Sequence, residues 1–136
     1  MKFLCDANIS PHLARALNFL SHPEGHVVVH LKEKFDQRTA DIEWISSLAD
    51  EGGWAVVTRD RAMSRHPVEQ EVLRRSGLTV FMLAKAWGSQ DHWNIAAALV
   101  RWWPKILEQA VLVEGGAAFE VPFGFSGKKR LKQIRL

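Results

Sequence analysis

The chain has 136 residues, of which 47% are hydrophobic, and its formal net charge is +3 at pH 7. This length is typical of one domain, 1–136, with enough apolar residues to bury its own core. A single cysteine, Cys5, excludes an internal disulfide bond, and no apolar run is long enough to predict a membrane span. We expect a soluble cytoplasmic domain in which Cys5 is buried rather than reactive.

The positive charge is concentrated at one end of the chain. Of the 18 Lys and Arg residues, five lie in the last nine positions, and the remaining 13 face 15 acidic residues. We call residues 128–136 the basic tail. It is able to attract a polyanion or an acidic partner, and a purely solubilising role is the alternative. Its basic residues are Lys128, Lys129, Arg130, Lys132 and Arg135.

Short apolar runs alternate with helical patterns along the chain. Ser10 followed by Pro11 is a strong helix start, and Gly52 with Gly53 ends the second helical pattern. The alternation predicts an α/β fold with three layers (α/β/α) and a mainly parallel central sheet of four to five strands. The predicted strands are 1–6, 26–31, 54–58 and 78–83, and the predicted helices are 11–20, 39–50, 67–76 and 89–112.

The C-terminal third gives less regular signals. We expect Pro104 to kink or divide the long helix, and residues 117–121 with 123–126 indicate an edge hairpin. Trp93 lies in an apolar helical pattern, which favours a place in the core or an interface. Trp87 precedes Gly88 in a predicted loop, so we expect it to be the tryptophan better placed to stack on a nucleic acid base.

Carboxylates follow two of the predicted strands and begin one helix. Asp6 and Asp60 each follow an apolar strand, and the ends of parallel strands share one edge of a sheet. Asp41 and Glu43 open the second helix. Carboxylates gathered there would repel one another unless a cation neutralised them, and oxygen ligands suit Mg²⁺ or Mn²⁺. The pattern therefore predicts a metal site.

Each of these carboxylates also has an ordinary structural interpretation. Asp6 and Asp60 are residue types common in turns, and Asp41 is one common at helix N-termini. Asp41 and Glu43 are two positions apart and point in different directions, so one is a metal ligand while the other caps the helix or orients water. The sequence does not assign these two roles.

The residues 1–8, 41–45 and 57–60, together with 65–69 and 77–83, resemble PIN-domain nucleases. The resemblance is greatest to VapC-type toxins of toxin-antitoxin systems, in a compact branch that begins with Asp-x-Asn. It implies a PIN-like fold and an endoribonuclease that depends on Mg²⁺ or Mn²⁺. The implied metal-binding and catalytic residues are Asp6, Asp60, Asp41 and Glu43.

The resemblance also implies supporting residues. Asn8 would orient a ligand, and Thr58 would hydrogen-bond the turn at Asp60. Many PIN domains have a further acid where this chain has Ala62, and its absence leaves the presence of a second metal open. Glu69 is the residue that would compensate, and an ion pair with Arg61 or Arg65 is the alternative for it.

Three arginines near the third strand are candidates for RNA binding, because guanidinium groups match phosphate oxygens in a bidentate manner. They are Arg59, Arg61 and Arg65, and ordinary surface charge is the alternative for each.

The implied partners are RNA, a cognate antitoxin that silences the toxin, and a second copy of the chain, with apolar surface offered by residues 93–112. Other functions share the same residues. A PIN nuclease in RNA processing or DNA repair is one, and an inactive RNA-binding module is another. A receiver-like regulator would use Asp6, Asp60 and Lys85, but Lys85 follows the fourth strand where that site needs the fifth.

Overall fold

The computed structural model describes residues 1–60, 66–113 and 115–136. The strands within these residues are β1 (Lys2–Cys5), β2 (Val27–His30), β3 (Trp54–Thr58), β4 (Thr79–Leu83), β5 (Ala118–Val121) and β6 (Lys132–Ile134). They form one sheet in the order β2-β1-β3-β4-β5-β6, in which only the β5–β6 pair is antiparallel. The α-helices are α1 (Pro11–Ser21), α2 (Leu31–Lys34), α3 (Asp41–Glu51), α4 (Pro67–Arg75) and α5 (His92–Leu112).

β1 lies between β2 and β3 and is parallel to both. Cys5, its last residue, stands opposite His30 of β2 and Val57 of β3. α1 begins at Pro11 as predicted, and the Ser10 hydroxyl accepts a hydrogen bond from the Leu13 amide at 3.4 Å. The residues that follow β1 and β3 consequently leave the sheet side by side at one edge.

The sheet buries an apolar core on each face, which confirms the three-layer α/β/α architecture. Phe3 and Cys5 of β1 belong to the core shared with α1 and α5, whereas Leu4 belongs to the core shared with α3 and α4. This alternation follows from the twofold period of a strand. Cys5 is fully buried, as expected.

Of the two outcomes predicted for Pro104, a kink or a division of the long helix, the division does not occur, because α5 runs from His92 to Leu112 as one helix. Trp103 and Ile106 on either side of Pro104 are buried in the core, so packing outweighs the roughly 3 kcal/mol that an interior proline costs. Neither α5 nor another helix in the described residues is long and apolar enough to cross a membrane.

The predicted edge hairpin is also misplaced, and the sheet has one strand more than the four to five expected. β5 is parallel to β4, and its antiparallel partner is β6 within the basic tail rather than residues 123–126. Two phenylalanines explain why 123–126 does not pair: Phe123 packs edge-on against Trp87, and Phe125 against Trp102, each at 5.0 Å between ring centroids. Residues 128–136 are therefore partly an edge strand.

Candidate functional site

Asp6 is the most buried carboxylate at the edge where β1 ends. Its side chain is only 5% exposed, and its backbone amide continues the ladder to β3 by donating to the Val57 carbonyl at 3.0 Å. Both carboxylate oxygens accept hydrogen bonds, Oδ1 from the Ala7 amide at 2.6 Å and Oδ2 from the Thr58 hydroxyl at 2.8 Å. The strand end and these two donors hold the carboxylate in one orientation.

Thr58 connects the ends of β1 and β3. It is fully buried, and its hydroxyl oxygen accepts from the Asp60 amide at 2.9 Å while its proton is donated to Asp6. A second link joins the same two loops, because the Arg59 amide donates to Oδ1 of Asn8 at 3.2 Å. Two polar side chains thus position the turn that carries Asp60 beside Asp6.

The pKa of Asp6 is raised above its ordinary value of 3.8. Burial is the largest cause, since the charged form loses hydration. The hydrogen bonds from Thr58 and Ala7 act in the opposite direction, and the negative charges of Asp41 and Asp60 raise the pKa again. Burial and the negative charges of two neighbouring carboxylates therefore both raise the pKa of Asp6.

Asp6, Asp41 and Asp60 form what we call the acid site. Asp41 is the first residue of α3 and is half-buried, and its Oδ1 accepts from the Trp44 indole N–H at 2.9 Å. Glu43 is exposed and is not among the groups that affect the pKa of Asp6. Of the two acids that begin α3, the structure brings Asp41 and not Glu43 toward Asp6.

The three carboxylates of the acid site do not converge on one point. Among residues 1–60, 66–113 and 115–136, no group of three His, Cys, Asp or Glu side chains is arranged closely enough to hold a metal ion. Glu69 is half-buried in the first turn of α4 and does not contribute to the pKa of Asp6. Arg61, Ala62 and Arg65 lie outside the described residues.

Two further residues near the acid site are buried: Cys5, as the sequence predicted, and His30, whose role the sequence did not reveal. Cys5 is adjacent to Asp6, and burial together with the charge of Asp6 raises the pKa of its thiol to about 12, so it is unreactive at neutral pH. His30 is fully buried at the end of β2. Its Nδ1 accepts from the Lys32 amide at 3.1 Å, so Nε2 carries the proton that is donated to the Ile9 carbonyl at 2.7 Å. His30 therefore supports the loop that follows Asp6.

The expectation for Trp87 is wrong, and of the two places expected for Trp93 the structure excludes the core. Trp87 is fully buried, and its indole N–H donates to the Val121 carbonyl at 2.8 Å, so it cannot stack on a base. A short 3₁₀ helix, Lys85–Ser89, forms where the sequence suggested an open loop and turns this ring into the core. Trp93, which the sequence placed in the core or an interface, is 80% exposed in the first turn of α5.

Comparison with protein families matches residues 1–85 to a family described as PIN like domain. The matched range contains β1 to β4 and all three residues of the acid site. The comparisons with curated proteins and with solved structures give no match.

Proposed function

Because this chain belongs to the PIN-like domain family, whose members are generally nucleases, we propose that it is a Mg²⁺- or Mn²⁺-dependent endoribonuclease. Asp6 carries the proposal. It is a buried carboxylate at the end of a parallel strand, and the charges of Asp41 and Asp60 act on it. Burying a carboxylate near two other negative charges destabilises the fold, and a bound cation would neutralise these charges.

The residues of the acid site fit a hard divalent cation. They offer only oxygen donors, which Mg²⁺ and Mn²⁺ prefer. Each carboxylate oxygen of Asp6 accepts one hydrogen bond and keeps a further lone pair for a ligand bond. Because no three of the described carboxylates lie close enough to share one ion, Asp6 would hold it together with Asp60 or Asp41, and Glu43 would stay outside. Water and an RNA phosphate oxygen would complete the shell. When bound, the ion supplies an activated water and stabilises charge on the leaving 3′ oxygen.

The protein's own groups would orient the RNA. Arg59 lies between Thr58 and Asp60. Its backbone N–H donates a hydrogen bond to the Asn8 side chain, which holds the Arg59 backbone at the edge of the acid site. We propose that its guanidinium binds a phosphate beside the one that is cut, together with Arg61 and Arg65. The loop that follows β5 leaves the sheet at this same edge, since β1, β3, β4 and β5 are parallel. The basic tail is a further source of positive charge for attracting RNA.

The biological role that we propose is the toxin of a type II toxin-antitoxin pair, acting in the cytoplasm and neutralised by a cognate antitoxin. The resemblance to VapC-type toxins supports this role. Apolar side chains exposed along α5 provide contact area for an antitoxin or a second copy of the chain, namely Val100, Val111 and Leu112. Production of the chain in bacteria should arrest growth, and Asp6→Asn should relieve the arrest.

Cleavage of RNA tests the enzymatic proposal. Purified protein is incubated with structured and unstructured RNA, and with single-stranded DNA, in Mg²⁺, Mn²⁺ or EDTA. We expect metal-dependent cleavage of RNA that Asp6→Asn and Asp60→Asn each reduce by more than about 100-fold, as loss of a metal ligand should. Asp50→Asn, an exposed acid on the same helix as Asp41, is the matched control.

Each other outcome points to a different function. Cutting of DNA in preference to RNA would favour a repair nuclease, and cleavage unaffected by Asp6→Asn would place the chemistry elsewhere. Binding of RNA without cleavage in either metal would favour an RNA-binding module. Incorporation of phosphate from a phosphodonor would favour a receiver-like regulator.

A further inference from the structure

A cleft of about 340 Å³ lies next to the acid site, on the face of the sheet covered by α1 and α5. Its floor is apolar and includes Leu13, Leu83 and Leu99, and its rim is polar and includes Asn8, Gln90 and His92. This volume is within the range of about 300–1,000 Å³ that small-molecule sites occupy. Metal-dependent cleavage at the acid site does not by itself require an apolar cleft next to it.

The cleft and the acid site share two residues. Arg59 and Asn8 line the cleft, and the Arg59 backbone N–H donates a hydrogen bond to Oδ1 of Asn8 at 3.2 Å. Arg59 is also flanked by Thr58 and Asp60, which belong to the network around Asp6. A ligand that placed a phosphate at the acid site would therefore have its adjacent groups at the mouth of the cleft.

The groups that line the cleft suit a flat, uncharged, polar ring. None of the described residues that line it is acidic, and the Gln90 side chain makes no hydrogen bond or ion pair with a described residue. A carboxamide has both donors and acceptors, so it matches the edge of a nucleobase, while the leucine floor suits its faces. A phosphate or an acidic peptide would leave the apolar floor uncovered.

An exposed aromatic residue stands beside this rim. The Trp93 ring packs edge-on against the His92 ring, with centroids 5.8 Å apart, and His92 lines the cleft. Trp93 is nevertheless 80% exposed, which is unusual for a residue of its size. Exposed aromatic rings next to a nucleic acid path commonly stack on unpaired bases.

We propose that this cleft binds an unstacked nucleobase of single-stranded RNA, with Trp93 stacking on a neighbouring base. The inference rests on the proposed function and adds to it a binding site for one base next to the acid site. Gln90 and Asn8 read the edge of the bound base, and Arg59 holds the phosphate that joins this nucleotide to the one at the acid site.

Binding of short oligonucleotides tests the proposal without cleavage. Fluorescence anisotropy in EDTA follows labelled single-stranded RNA, the same strand with abasic positions, and single-stranded DNA. We expect Trp93→Ala to weaken RNA binding by about 5- to 150-fold, which corresponds to the about 1–3 kcal/mol measured for one stacked base. Phe19→Ala is the matched control, because Phe19 is equally exposed, at 80%, and lies on α1.

The abasic strand separates base binding from attraction of phosphates. Wild-type protein should bind it more weakly, and Trp93→Ala should then make little further difference. Gln90→Ala should change the order of preference among U, A, C and G homopolymers. Equal affinity of wild type and Trp93→Ala for RNA, or equal affinity of wild type for normal and abasic strands, overturns the proposal.

This test is independent of the nuclease assay. If RNA is cleaved in a metal-dependent manner but Trp93→Ala binds RNA as well as the wild type, the nuclease proposal stands and the base-binding cleft is rejected. Base-dependent binding without metal-dependent cleavage would do the reverse. DNA bound as tightly as RNA would keep the cleft and show that the sugar is not read.

Discussion

Two regions of opposite charge in this molecule are held in different ways. At the acid site, Asp6 is buried and both of its oxygens are hydrogen-bonded. In the basic tail, Lys128 and Lys129 are exposed. The loop that leads to them is held by Lys105, whose ammonium donates to the carbonyls of Ser126, Gly127 and Lys129.

The difference shows what each kind of charge requires. A buried carboxylate loses hydration, so its position depends on donors supplied by the strands of the fold. Exposed lysines keep their water, and only the backbone beneath them needs an anchor. Lys105 is that anchor, and it also faces the rings of Trp102 and Phe125, at 5.5 Å and 5.0 Å from their centroids. Changes at the acid site should affect chemistry and global stability, whereas changes at Lys105 should act locally.

After Asp6 and Asp60, the largest effect on cleavage is expected at one of the two acids that begin α3. Asp41→Asn should lower metal-dependent RNA cleavage by about 10- to 100-fold, since Asp41 and not Glu43 acts on Asp6. The substituted amide oxygen still accepts from the Trp44 indole, so the helix start is preserved. Glu43→Gln is the control and should leave the cleavage rate within about twofold. The opposite order would assign the metal ligand to Glu43.

The next largest effect concerns the link between the two strand ends. Thr58→Val keeps the shape of the side chain but leaves Oδ2 of Asp6 without its donor and the Asp60 amide without its acceptor. We expect the free energy of unfolding to fall by about 1–3 kcal/mol in urea titrations. Thr79→Val is the matched control, because Thr79 is also buried in a neighbouring strand and its hydroxyl makes no hydrogen bond with a described residue. Equal losses for the two variants would contradict the bridging role.

Much of this arrangement could be predicted from the sequence, because it depends on strand order. Apolar runs that end at Cys5 and Thr58 indicate parallel strands whose ends share an edge, and this places Asp6 beside Asp60. Choosing between Asp41 and Glu43 requires the direction of α3 relative to that edge, which no local pattern gives.

The tryptophans show the same limit. The exposure of Trp87 and Trp93 depends on a 3₁₀ helix and on the first turn of α5, and a helical period cannot distinguish a ring at the end of a helix from one in its middle. The partner of β5 is hard to predict for a related reason, since the pairing of Lys132–Ile134 with β5 depends on where the intervening Phe123 and Phe125 pack.

A smaller, local effect is expected at the anchor of the basic tail. Lys105→Met keeps most of the side chain and removes the charge that binds three carbonyls and two rings. We expect about 0.5–1 kcal/mol of global destabilisation. Trypsin should cut faster at Lys128, Lys129 and Arg130, and amide exchange there should accelerate. Lys85→Met, at an exposed lysine outside the basic tail, should change neither. An unaltered trypsin cleavage pattern in Lys105→Met would contradict the role of Lys105 as the anchor.

The smallest effect is the dependence of stability on pH, measured in EDTA so that no cation occupies the acid site. Because the pKa of Asp6 is higher in the folded protein than its ordinary 3.8, the folded state binds more protons than the unfolded state between the two values. The contribution of Asp6 to stability is therefore greatest below pH 3.8 and is lost as pH rises through the folded pKa. Relative to Asp6→Asn, the wild type should lose stability over this interval and then level off. Urea titrations at a series of pH values measure the difference in free energy of unfolding between the wild type and Asp6→Asn. If this difference does not change with pH, neither burial nor the two neighbouring acids affect the ionisation of Asp6.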